Sequence, residues 1–305
     1  MSQEQPSQLL DNAQIPVPKI KDGSITADTI QSWNTNKLGL RLGADAGSAA
    51  TASLLVAPVI TIIDQAIVRK AATSTSISAS LLAATKSALL RPHGFLLSRP
   101  FLLIFSLYYG TYFTANTIDT LTSTIENKKA NNVTSGPTKF AATSAVNMSL
   151  CVYKDSQFAK LFGASTSSSP ASKIPKLSYA LFACRDSLTI FASFNLPTII
   201  APRLAELPPS VKEKFSRILS TESGRTNTAQ FLAPAAMQVF STPLHLLGLD
   251  LYNRQGKLGF PERALQITKN WASCSFARMG RIIPAFGVGG VVNSNMRGGM
   301  MTRLE

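Results

Sequence analysis

Three arginines occupy related places in this chain and could act on one ligand. Arg99 opens the apolar run SRPFLLIF, Arg185 opens RDSLTIF, and Arg281 opens RIIP. Upstream of each lies a position where a helix is expected to kink: Pro58 in VAPVITIIDQ, Ser149 in the place of a second proline, and Pro243 in TPLHLLGLD. The offsets from kink to arginine are 41, 36 and 38 residues, and successive kinks lie 91 and 94 residues apart. A guanidinium at the start of an apolar run is costly unless it faces protein or water. Its planar fork matches a carboxylate or phosphate, so three of them converging on one centre would make a positive, partly desolvated site for an anion. Asp186, next to Arg185, suits an ammonium group, which admits a zwitterionic amino acid. Taken singly, each arginine reads equally well as a basic membrane boundary snorkelling to headgroups; the repeated position favours the shared site.

Such convergence needs three similar helix pairs. The repetition predicts an all-α membrane protein of six transmembrane helices, arranged as three pseudo-threefold-related pairs with short amphipathic loop helices. Uncharged runs at 46–63, 100–118, 140–153, 187–202, 226–249 and 282–296 are the expected spans. The first two have the best length, and the 14-residue third and 16-residue fourth need flanking Lys and Arg or a polar bundle interior. Gly43 and Gly47, four apart, predict close helix approach. The expected organisation is a disordered polar tail over 1–35, a six-helix domain over 36–297 with repeats at about 36–124, 137–207 and 225–297, and a C-terminal tail over 298–305.

Composition points the same way. Hydrophobic residues make up 45% of the chain and charged residues 15%, well under the roughly 25% usual for soluble domains. Thirty Lys and Arg against 16 Asp and Glu give a net charge of +14, which implies an anionic ligand or anionic lipid as partner. Nucleic acid is not expected, because the basic residues are scattered among apolar runs without a recognition motif. Cys151, Cys184 and Cys274 form no disulfide or metal framework, and His93 and His245 are too far apart for a metal site. No phosphate loop, nucleophile elbow or paired His/carboxylate motif appears, so neither an enzyme nor a cofactor is expected. Gly287, Gly289 and Gly290 follow no strand and read as helix packing.

Over about residues 40–297 the chain resembles the mitochondrial carrier family. The resemblance rests on three two-helix repeats, a proline near the end of the odd helices, amphipathic helices between partners, basic charge without a presequence, and TPLHLLGLDLYNRQ beside the family's Pro-x-Asp/Glu-x-x-Lys/Arg pattern. Where that pattern places an acid and a base, this chain has Ile60 and Ile63, His245 and Gly248, and Lys154 in the middle repeat. Asp64, Asp155 and Asp250 lie one or two positions past the expected base and receive no gate role.

The resemblance implies a multi-pass protein of the mitochondrial inner membrane, or alternatively the outer one. It implies a monomer contacting anionic lipid such as cardiolipin, and transport of a small anionic or zwitterionic metabolite, an amino or keto acid, by alternating access. Arg99, Arg185, Asp186 and Arg281 would contact the substrate. The departures from the motif support an alternative, a carrier fold that serves as a membrane adaptor or scaffold.

Overall fold

In a computed structural model the described residues are 33–73, 75–134, 136–163, 173–255 and 258–305, the side chains of 194, 195, 198, 217, 218, 223, 227 and 286 excepted. The tail expected over 1–35 and the serine-rich stretch after Gly163 therefore lie largely outside them.

The described chain is helical, with no strand among the described residues. Its order is α1 (Leu38–Thr73), α2 (Ile77–Leu90), α3 (Pro92–Leu96), α4 (Arg99–Ile125), α5 (Pro137–Phe162), α6 (Lys176–Ala205), α7 (Pro209–Lys214), α8 (Ser216–Leu219), α9 (Glu222–Asn253) and α10 (Phe260–Gly280). A π-helical stretch (Ile283–Gly290) then leads into α11 (Val291–Leu304), which takes in most of the expected C-terminal tail. Local chemistry explains several starts. Ser76 accepts from the Ala79 N–H at 3.1 Å to cap α2, and prolines occupy the first turns of α4, α5 and α10, where a missing N–H costs nothing.

The six-span expectation fails. Among the described residues α1 alone is long and apolar enough to cross a membrane. The other apolar runs are embedded in helices that also carry polar groups. The second half of α4 holds Asn116, Asp119 and a series of Thr and Ser, α5 holds Lys154 and Asp155, and α6 holds Arg185 and Asp186 with Pro197 and Pro202 inside it. The last run is divided between the eight-residue π stretch and α11, which contains Arg297. Three equivalent pairs are not found either: α6 packs most extensively on α9 and α1 on α4, followed by α10 on α9 and α4 on α5, while the expected pair α5 and α6 meets much less.

The kink positions are interior to continuous helices, Pro58 in α1, Ser149 in α5 and Pro243 in α9. The Gly43 and Gly47 expectation also fails, since a Cβ on either would meet nothing within 4 Å. Close approach occurs at other glycines. A Cβ on Gly248 would fall 2.6 Å from the Phe182 ring, and one on Gly289 would strike Tyr112 Oη and lie 2.9 Å from Val56 Cγ1.

The bundle buries charged as well as apolar side chains. Its largest fully buried side chains include Arg41, Lys154, Arg185 and Arg278, whereas Leu54, Leu55, Val59, Leu97, Phe240 and Phe276 are exposed. The buried charges are the informative part of this pattern, since exposed apolar side chains are common in folded proteins. Apolar packing is still present inside, where Val56, Ile60, Ile104, Phe158, Phe182 and Leu249 form one cluster.

Candidate functional site

α1, α4, α5, α6 and the chain from Arg281 through the π stretch enclose a cavity of about 240 Å³. That volume lies just under the roughly 300–1,000 Å³ typical of small-molecule sites. Its wall is built from helical stripes. Thr143, Asn147 and Cys151 recur every four residues on α5, and Asp186, Thr189, Ile190 and Ser193 follow the same helical period on α6. Leu107, Tyr108, Thr111 and Tyr112 come from α4, and Ile60 from α1. Opposite stand Arg281, Ile282, Ala285 and Gly290.

Charge is concentrated at one end. Arg281 Nη1 donates to both oxygens of Asp64, at 2.9 and 3.1 Å, and Lys154 Nζ reaches Asp64 Oδ2 at 2.8 Å. Lys154 also pairs with its neighbour Asp155. Arg185 Nη2 lies 2.7 Å from Asp155 Oδ2 and 2.5 Å from Asp186 Oδ1, and donates to Cys151 Sγ at 3.3 Å. The other arm, Nη1, sits 3.2 Å from His245 Nδ1. Because a guanidinium can only donate, Nδ1 is the acceptor and the imidazole carries its proton on Nε2. Removing charges from a polar solvent is costly, and mutual pairing with added hydrogen bonds offsets that cost.

Two polar atoms on the cavity wall are left over. Asp186 Oδ2 and Thr143 Oγ1 are buried without a hydrogen-bond partner. Buried polar atoms usually pair with protein or ordered water, so these two are available to a polar group or a water in the cavity. Next to the network, Arg278 is buried with Nη2 unpartnered, and its Nε donates to Gln238 Oε1 at 3.1 Å. Cys151, Asp155 and Asp186 are close enough together to hold a metal ion; Arg185, bonded to all three, already supplies the cation there.

Beyond the other end of the cavity, past Tyr112 and Gly290, the helices are tied by a second polar cluster. Arg297 Nε donates to Asp45 Oδ1 at 2.7 Å and Thr120 Oγ1 to Asp45 Oδ2 at 2.6 Å. The side-chain amides of Asn116 and Asn293 donate to each other, both at 2.9 Å. Tyr112 Oη donates to the Ala285 carbonyl at 2.8 Å, inside the π stretch.

Of the four residues expected at the site, Asp186 and Arg281 line the cavity. Arg185 is fully buried behind it, holding Asp186. Arg99 is exposed at the first turn of α4 and is not brought to the others. The roles of Asp64, Asp155 and His245 in the network, and of the hydroxyl and amide stripe, were not foreseen from the sequence. The available signals were isolated carboxylates in apolar helices and polar residues recurring at four-residue spacing.

A mostly apolar cavity with one carboxylate and one guanidinium at its charged end defines a candidate small-solute site within a helical bundle. Residues 48–301 match the model of a family described as "Probable citrulline exporter", and the chain belongs to that family. No curated protein matches it.

This membership corrects the resemblance to mitochondrial carriers and the inner-membrane carrier function, adaptor alternative included, that it implied. The physical cause is that basic charge, apolar runs and helix prolines are shared by many helical membrane proteins, while the ion-pair motif that distinguishes carriers is missing at Ile60, Ile63 and Gly248. A multi-pass mitochondrial placement likewise fails, as only α1 among the described helices qualifies as a span. The family is one of transporters, so the chain is not an enzyme.

Proposed function

We propose that this protein exports a small zwitterionic amino acid across a membrane, binding it in the cavity between Asp186 and Arg281. The observation that carries the reading is the unpartnered, buried Asp186 Oδ2 on the same cavity wall as the Arg281 guanidinium. The carboxylate oxygen accepts from the α-ammonium, and the guanidinium donates to the α-carboxylate. Arg185 acts as a positioning residue, fixing Asp186 through its other oxygen. The family description supports citrulline or a close relative as the solute, and the large apolar side chains exposed on the bundle support an apolar surrounding.

An anionic lipid fits the same reading: a groove of about 540 Å³ carries Arg69, Arg91, Ser87 and Ser98, with Leu89, Leu90 and Leu97 exposed nearby in sequence. The organisation we propose is a single helical domain from about residue 36 through α11, preceded by a polar tail.

The test is efflux of labelled citrulline from liposomes carrying the full chain. Wild type is expected to release it and Arg281→Ala to lose the activity while retaining its fold by circular dichroism. Flux that survives Arg281→Ala, or no flux of any amino acid by wild type, would overturn the reading.

A further inference from the structure

From the charged end the cavity extends along a ladder of uncharged polar groups. On α6 the stripe runs from Asp186 through Thr189 to Ser193; on α5 it runs from Cys151 through Asn147 to Thr143. Seven helical residues at 1.5 Å each make this ladder about 10 Å long. An extended chain advances roughly 1.2 Å per bond, so about eight bonds cover that distance. The ladder is therefore longer than an amino-acid head group needs.

Its chemistry is equally restricted. Asp186 and Arg281 are the charged groups on the cavity wall, and they match the two charges of a zwitterionic head. Asn147 spends an amide hydrogen on Thr111 Oγ1 at 3.0 Å, which aligns its amide along the wall. Thr143 Oγ1, four residues further on, is buried and has no partner. A charged group carried to this depth would be desolvated without a counter-ion, whereas a neutral polar group would gain hydrogen bonds. An aliphatic tip would leave the Thr143 hydroxyl unsatisfied.

We infer that Thr143, Asn147, Thr189 and Ser193 form a side-chain subsite that selects amino acids with a long, uncharged, hydrogen-bonding side chain of the ureido or amide type and rejects those with a charged one. The inference rests on the proposed head-group site. Asn147 sets the charge preference and Thr143 reads the tip.

The experiment measures efflux of citrulline, ornithine and norleucine from liposomes containing the full chain, its Asn147→Asp variant or its Thr143→Val variant. Wild type is expected to move citrulline at least tenfold faster than ornithine or norleucine. Asn147→Asp, nearly isosteric, places a carboxylate on the ladder and is expected to raise the ornithine-to-citrulline ratio at least tenfold. Thr143→Val keeps the shape and is expected to lower the citrulline-to-norleucine ratio by about fivefold to tenfold, the loss of one hydrogen bond. Citrulline flux with both ratios unchanged in the variants overturns the subsite and leaves the head-group site standing. Equal flux of all three solutes by wild type does the same. Absence of any amino-acid flux by wild type overturns the head-group site and the subsite together.

Discussion

Arg281 and Asp64 are separated by 217 residues in sequence, yet one nitrogen of the guanidinium donates to both carboxylate oxygens. The contact ties the end of α10 to α1 at the charged end of the cavity. It also places on one carboxylate the work of balancing two cations, since Lys154 binds the same group at 2.8 Å.

Asp64→Asn should therefore leave Lys154 and Arg281 without their shared charge while preserving shape. The expected loss is about 3–5 kcal/mol, the range for removing one partner of a buried ion pair. Thermal unfolding in detergent should show a clear fall in the midpoint; an unchanged midpoint would contradict the buried network.

Asp45→Asn removes the counter-charge of Arg297 and an acceptor of Thr120 at the second cluster. A comparable destabilisation is expected. Because Asp45 is not on the cavity wall, the relative flux of citrulline and ornithine should not move in whatever fraction remains folded. Liposome efflux normalised to folded protein checks this.

Gly289→Ala introduces a methyl group against Tyr112 Oη and 2.9 Å from Val56 Cγ1. Tyr112 must move away from the Ala285 carbonyl it now bonds. Overpacking of this kind costs about 1–3 kcal/mol, and Tyr112→Phe, which deletes only the hydrogen bond, should cost about 1 kcal/mol. Chemical unfolding of the two variants should rank them in that order.

Arg99→Ala should change stability by no more than about 0.5 kcal/mol, the usual range for an exposed position without special contacts. Its flux should equal wild type, in contrast to Arg281→Ala. A large loss of flux in Arg99→Ala would place this arginine in the solute path.

Citrulline itself should stabilise the folded chain. A ligand present at 100 times its dissociation constant adds about 2.7 kcal/mol, and the upward shift in unfolding temperature should be absent in Asp186→Asn if that carboxylate accepts from the ammonium group.

The sequence by itself determined the helical character of the chain and picked out two residues that line the cavity, Asp186 and Arg281. These are local properties. The 3.6-residue period is written in neighbouring residues, and a motif such as Arg185-Asp186 within an apolar helix signals a buried polar group wherever that helix packs. Only the tertiary structure decided that α6 would meet α9 more than α5, that Arg99 would stay outside while Arg281 lined the cavity, and that Asp64 and Asp45 would each bind an arginine from the far end of the chain. Each of these depends on the register between helices distant in sequence. A three-arginine spacing pattern cannot carry that register, because a quarter turn of one helix is enough to exchange an inward guanidinium for an outward one.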